Sequence, residues 1–551
     1  MLFDTGRPGS GSKTVGLNQT TPMNYWNERK FLVTLYILFA LPLIVFLAIT
    51  QPIFHVPDEP SHFMRAFQIS QGEFFATKRP NPINSATHMV GGEVDNNAIK
   101  LFLHLYDTLR TYGKVNNQIM SELKTIQWGH PIWMPTPNVS IYPPFLYLPS
   151  ALGITLGRYA EFSIYHTLIL SRLLTGLTSF LIAVIALHFV GRGRAIFFVF
   201  LMLPITISQF ASTSQDALIF SMSALCASIL TRIWTTPANK QGLIVLLSFF
   251  AGALSATVSL ARPPYLVLSL FFFLFAVLNW KSKWKRYLFL TIFFFNVFLL
   301  IAWFIYLADL FFTPVNNSPK NFLLYLVLFP IIPCMIIAIG YWLGAKFPWI
   351  IPGLGLLIVF TVIIYAMNQK FHLPDRVLLP DQLLTITRDP WAWLTMVLYT
   401  LKLYYSFFWA SFFLGTFALN ETLVPAYPAV ATVAVFLTTC CAIGNSDTEE
   451  NMHVAYVYNV ILLTVLLICF IAVFLALCIL WPQDGTGIIK GIQGRYFAPL
   501  GFFLSLLYPV FKYEKYTFFH LSKNILLRPV LILFVSITLL VLPWAVLSEY
   551  Y

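Results

Sequence analysis

What limits this chain most is the recurrence of apolar runs about 20 residues long, the length at which a helix crosses a hydrocarbon core of about 30 Å. They follow one another from Phe31 almost to the C-terminus, and 58% of the 551 residues are hydrophobic while only 10% are charged. Backbone in lipid must satisfy its own polar groups, which leaves helices or closed barrels. Unbroken apolar runs, without strand alternation, select helices. The expected fold is an all-α polytopic membrane protein with roughly 13 transmembrane helices.

The formal charge of +12 would suggest nucleic acid in a soluble protein. Here its distribution gives another cause. Arg29 and Lys30 precede the run Phe31–Thr50, read as an uncleaved first span, and Gly191–Arg194, Lys281–Arg286 and Lys346 fall on the same side by parity. Basic residues gather in cytoplasmic loops, so no nucleic-acid partner is expected and the N-terminus is placed inside. All six cysteines lie in apolar runs, which excludes a disulfide framework or zinc spacing. Residues 1–30 then form a cytoplasmic tail and 31–551 a single transmembrane domain, with extracytoplasmic loops at 51–165, 368–425 and 482–496.

Within the first loop, Pro60–Gln71 reads as a helix opened by proline, lying along the membrane surface. Ala98–Thr111 and Asn117–Gln127 are further helices, and the proline-rich Gly129–Pro149 is extended. Phe145–Leu156 is too short to span and is placed at the interface. Ala195–Phe210, Tyr265–Trp280, Asn321–Leu343 and Phe347–Ala366 are among the expected spans, and Trp391–Ala410 is read as an interfacial or re-entrant helix.

Three polar clusters reach the outer side of this arrangement. The first is His55-Val-Pro-Asp58-Glu59-Pro-Ser-His62, with Arg65 one turn on; the second spans Asp375, Arg376, Arg388 and Asp389; the third is Gln493-Gly494-Arg495-Tyr496. Asp216 and Arg262, at span ends, belong with them, because ionisable groups there line cavities or pair with each other. A carboxylate facing several arginines suits transfer of a group away from a phosphate. The carboxylate takes a proton from the acceptor hydroxyl, and guanidinium groups hold the phosphate bidentately.

Each residue also has a plainer reading. One of Asp58 and Glu59 caps the helix that begins at Pro60. His62 is a hydrogen-bonding partner rather than a metal ligand, no second histidine standing at ligand spacing. Asp216 pairs structurally with Arg262, or else touches substrate. Arg495 is an interfacial anchor, or binds phosphate in its glycine-rich setting. The aromatic strip around Trp133 and Tyr142 reads as a membrane-interface belt.

The segments HVPDEPSHFMRAFQISQGEFF, IYPPFLYLPSALG, STSQDALIF, ARPPYLVL, GTFALNETLVP and GIQGRYFAPL, in this order, resemble a family of predicted bacterial membrane proteins of unknown function. That family is similar to the GT-C glycosyltransferases. The resemblance implies a GT-C-like bundle in the bacterial cytoplasmic membrane and transfer of a sugar from a polyprenyl-phosphate donor to a cell-envelope glycan or lipid-linked acceptor, outside the cytoplasm. It implies a catalytic acid falling on Asp58, with Glu59 beside it for base or metal duty, and an arginine falling on Arg495. His62, Arg65, Asp216, Arg262, Arg376, Gln493 and Tyr496 complete the expected binding site. The family pattern would put a tryptophan and an aspartate near Leu419 and Asn420; Glu421 stands close by instead. A divalent cation, magnesium or manganese, is an optional cofactor, and membrane lipids are partners. The rival expectations are a flippase or transporter of lipid-linked oligosaccharide, with mid-membrane charge and broken helices, and a non-catalytic glycan-assembly protein.

Overall fold

The computed structural model describes residues 23–82, 88–112, 114, 117–279, 282–312, 389–415, 426–443, 452–480, 487–509 and 527–551. α1 (Met23–Thr50) leads into the first loop, which contains α2 (Glu59–Ser70), β1 (Thr77–Pro80), β2 (His88–Asp95), α3 (Asn96–Tyr112), α4 (Asn117–Thr125), β3 (Pro131–Pro135), α5 (Pro137–Ser140), a 3-10 turn at Pro144–Tyr147 and α6 (Leu148–Tyr159). The bundle continues through α7 (Ile164–Phe189), α8 (Arg194–Met202), α9 (Pro204–Phe210), α10 (Asp216–Thr235), α11 (Gln241–Ala261), a 3-10 segment at Pro263–Ser269, α12 (Leu270–Leu278) and α13 (Lys283–Phe312). Beyond it come α14 (Pro390–Leu414), α15 (Tyr427–Ile443), α16 (Met452–Leu480), 3-10 segments at Gly494–Tyr496 and Ala498–Leu506, and α17 (Leu527–Tyr550).

The protein is a polytopic helical membrane protein. Among the described residues, seven helices are long and apolar enough to cross a bilayer: α1, α7, α10, α11, α13, α16 and α17. Shorter apolar stretches at Pro263–Leu278 and Tyr427–Ile443 accompany them. The expected spans Asn321–Leu343 and Phe347–Ala366 lie outside the described residues, as do Asp375, Arg376, Arg388 and Glu421.

Several expected elements take a different form, and proline explains most of them. Ala195–Phe210 is not one helix but two. Pro204 has no N–H to give, and Leu203 before it goes extended at φ −62°, ψ 139°. Thr206 Oγ1 donates to the Phe200 carbonyl (2.6 Å), recovering one acceptor at the break. Tyr265–Trp280 likewise opens with the 3-10 segment that begins at Pro263 and Pro264. α14 runs through Trp391–Ala410 as one 25-residue helix, interrupted only by the non-helical Tyr404.

The first loop departs most from an all-helical reading. Its strands form a small antiparallel sheet in the order β1-β2-β3, with Thr77 opposite Gly91 and Glu93 opposite Trp133. The proline-rich extended path is thus real at Pro131–Pro135, but from Pro137 the chain turns helical again. α2 is enclosed by protein. Glu59 and every residue from His62 to Ile69 are buried, because Arg65 and Gln68 find partners inside: Arg65 donates to Gln68 Oε1 (3.0 Å), and Gln68 Nε2 donates to Thr136 Oγ1 (3.2 Å).

α7 organises the packing, touching α1, α6 and α10. Its contact with α6 is a small-residue interface of the type that holds helices together in lipid. Gly153 and Gly157, four residues apart on α6, lie against Ser171 and Thr167, and a Cβ at Gly153 would meet Ser171 Cα at 2.5 Å. Ser171 Oγ also donates to the Ser150 carbonyl (2.9 Å). A Gly153→Leu change must therefore push the helices apart. It should cost about 1–3 kcal/mol, read as a lower melting temperature in detergent, whereas Leu152→Ala, on the outward face of α6, should leave the melt in place.

Candidate active site

The site is set from below by an ion pair inside the membrane bundle. Arg172 sits in the apolar α7 and Glu59 opens α2; both side chains are 0% exposed. An uncompensated charge there would cost several kcal/mol, and the structure leaves neither uncompensated. Arg172 Nε donates to Glu59 Oε1 (2.8 Å) and Nη2 to Oε2 (2.5 Å). The remaining guanidinium hydrogens go to the carbonyls of Ala48 (3.3 Å), Gln51 (2.7 Å) and Pro52 (2.9 Å), around the C-terminal end of α1, where a cation also meets the negative end of the helix dipole. Glu59 Oε1 accepts one further bond, from the Thr213 amide (3.2 Å). Arg172 is not among the residues expected from the sequence, although an arginine inside an apolar run is itself a signal.

Directly above this pair the chain turns sharply. Asp58 adopts the left-handed region (φ 63°, ψ 4°) at the start of α2, and its side chain makes no capping bond to the helix. The carboxylate instead pairs with Arg495 Nη2, while Nη1 of the same guanidinium donates to the Pro57 carbonyl (3.1 Å). Arg495 Nε lies 3.5 Å from Asp216 Oδ2, and the other Asp216 oxygen pairs with Arg262 Nη2. Four charges from four distant parts of the sequence thus form one alternating chain, Asp58–Arg495–Asp216–Arg262. Asp58 is its open end, 55% exposed against 5% for Arg495 and 2% for Asp216.

The third expected cluster supplies the floor. The guanidinium of Arg262 stands 4.4 Å from the centre of the Tyr496 ring and that of Arg495 5.4 Å, so one aromatic ring serves both cations. Tyr265 Oη donates to the Tyr496 carbonyl (2.7 Å), tying the 3-10 segment after α11 to this turn. Gly494 is required by close approach: its amide donates to Ser411 Oγ (3.2 Å), and a Cβ would meet the Phe412 nitrogen of α14 at 2.2 Å. Gln493 contributes extended backbone whose carbonyl accepts the Tyr496 amide (3.1 Å).

Two other candidates separate. His62 joins the site: its Nδ1 is 2.8 Å from Tyr147 Oη, and its ring lies 6.1 Å from that of Tyr142. Those tyrosines belong to the aromatic strip, so part of that strip is site wall rather than interface belt. Arg65 does not join it. Besides Gln68 it donates to the carbonyls of Glu73 (3.3 Å) and Phe74 (2.6 Å), closing the turn after α2. Arg376 lies outside the described residues.

A family model described as predicted membrane protein (DUF2142) matches residues 41–504. The chain belongs to that family. No curated protein and no solved structure matches it. The matched stretch of this DUF2142 protein holds every residue of the charge chain.

The donor set among the described residues does not fit a divalent cation. Among the described residues no three His, Cys, Asp or Glu side chains come together as a metal site. Each of Asp58, Glu59 and Asp216 already has a guanidinium for its counter-charge.

The wall of the site is pH-sensitive through His62. Burial pushes its imidazole down from 6.5 to about 4; Asp216 and Asp58 pull upward, and Arg495 and Arg262 push further down. The unfolded chain therefore takes up a proton that the folded one refuses, so this stability is complete above about pH 6.5 and is lost as the pH falls toward about 4. A His62→Gln change should flatten the decline of melting temperature over that window. His55, also lowered by burial, is left to supply the residual slope; an undiminished slope in the variant would assign the proton elsewhere.

Proposed function

We propose that this DUF2142 protein is a GT-C-type membrane glycosyltransferase that moves one sugar from a polyprenyl-phosphate donor to a cell-envelope glycan or lipid-linked acceptor, with inversion. On this reading the bundle has roughly 13 spans in the bacterial cytoplasmic membrane, the N-terminus is inside, and the loop 51–165 and the site face outward. The observation that carries it is the open end of the charge chain. Asp58 is half in solvent and tied to the protein through Arg495, a cation that a phosphate would also claim.

The steps follow from that competition. The donor phosphate takes hydrogen bonds from Arg495 and Arg262, and Arg495 exchanges Asp58 for phosphate oxygens. The freed Asp58 carboxylate accepts the proton of the acceptor hydroxyl as its oxygen attacks the anomeric carbon. The bond from that carbon to the phosphate oxygen breaks, and its electron pair leaves on the polyprenyl phosphate, whose charge the two arginines offset. One carboxylate suffices, because a phosphate needs no proton to depart. Asp216 keeps both arginines in place, and Glu59, saturated by Arg172, stays outside the chemistry.

The break between α8 and α9 favours a second reading, a transporter of lipid-linked oligosaccharide, since transporters use broken helices at their sites. Yet every residue from Ala195 to Phe210 is buried. The two readings part at Asp58. Asp58→Asn should lower transfer from a polyprenyl-phosphate sugar by about 100- to 10,000-fold, and Arg495→Lys should weaken donor binding, both at normal protein level in the membrane. Surface glycan made normally by the Asp58→Asn strain would overturn the enzyme reading.

A further inference from the structure

We infer that the buried Arg172–Glu59 pair is a positioning device that sets the two site carboxylates relative to each other, a role that rests on the glycosyl-transfer reading. Glu59 is the residue next to Asp58, and its Oε1 holds the Thr213 amide, three residues before Asp216. The turn that carries Asp58 and the turn that carries Asp216 are thus fixed by one carboxylate, and Arg172 fixes that carboxylate to the end of α1. Arg495 then sits between two acids whose spacing has been set from beneath it.

The backbone of Asp58 gives the second line of argument. An Asp before a helix ordinarily turns its carboxylate onto the free amides of the first turn. Here Asp58 is held in the left-handed region and makes no such bond. With Glu59 released, the turn can relax, and Asp58 would swing from the site to the helix end. Stability alone does not call for charge at this place, because buried ion pairs are often replaced by apolar residues of similar volume without loss.

The test uses the full chain in lipid nanodiscs and the double variant Glu59→Met with Arg172→Met, which removes both charges together. The expected result is a folded protein in which amide exchange rises in residues 51–60 and 211–218 together, and in which kcat for a polyprenyl-phosphate sugar falls about 100-fold, more than the donor KM rises. If the double variant does not fold, Glu59→Asp, which keeps a counter-charge for Arg172 but shortens the reach to the Thr213 amide, carries the same measurements, with a smaller fall in kcat. Unchanged exchange in either segment, or an unchanged kcat in a protein whose exchange has risen, overturns the positioning role. A wild-type protein inactive on every polyprenyl-phosphate sugar overturns the glycosyl-transfer reading instead, and exchange then decides whether the pair holds the two turns.

Discussion

An arginine and a glutamate buried together in a membrane bundle are the constraint on which the rest of the site depends. Charge in that setting is tolerated only when nearly every hydrogen finds an acceptor. Arg172 meets the condition by drawing in three carbonyls and a carboxylate from two other parts of the chain. The solution fixes geometry as a by-product. The end of α1, the start of α2, the N-terminal half of α7 and the turn before α10 must all converge on one ion pair, and the site residues are neighbours of those points.

The upper layer works on a different electrostatic principle. Asp58, Arg495, Asp216 and Arg262 alternate in sign and sum to zero, so the cluster holds together without a ligand. It is also uneven, because Asp216 is enclosed between two cations while Asp58 has one partner and solvent. An anion arriving from outside meets the weakest link first. Exchange at Arg495 is then favoured over disruption of Asp216, which would leave a buried carboxylate short of a partner.

The sequence showed the class of protein, the position of most of the described helices and all four charges of the chain as candidates, because each of these is local. Apolar length marks a span, and ionisable groups at span ends stand out in a chain that is 10% charged. What was hidden is what depends on pairing across the chain. The sheet in the first loop has strands of four, eight and five residues, too short and too rich in proline and glycine to show alternation. The division of labour between Asp58 and Glu59 was also illegible, since adjacent carboxylates look alike until Arg172, more than a hundred residues on, claims one of them.

Seen from the arginines, the stretch from His55 to His62 has two faces with opposite requirements. Glu59 must be inaccessible, or Arg172 loses the partner that makes its burial tolerable. On the glycosyl-transfer reading Asp58 must be accessible, or no acceptor can deliver a proton to it. Two adjacent residues in a regular helix point about 100° apart, which does not by itself bury one and expose the other. The left-handed turn at Asp58 does: it lets the helix begin only at the second acid, so that one side chain is buried in the bundle and the other is exposed.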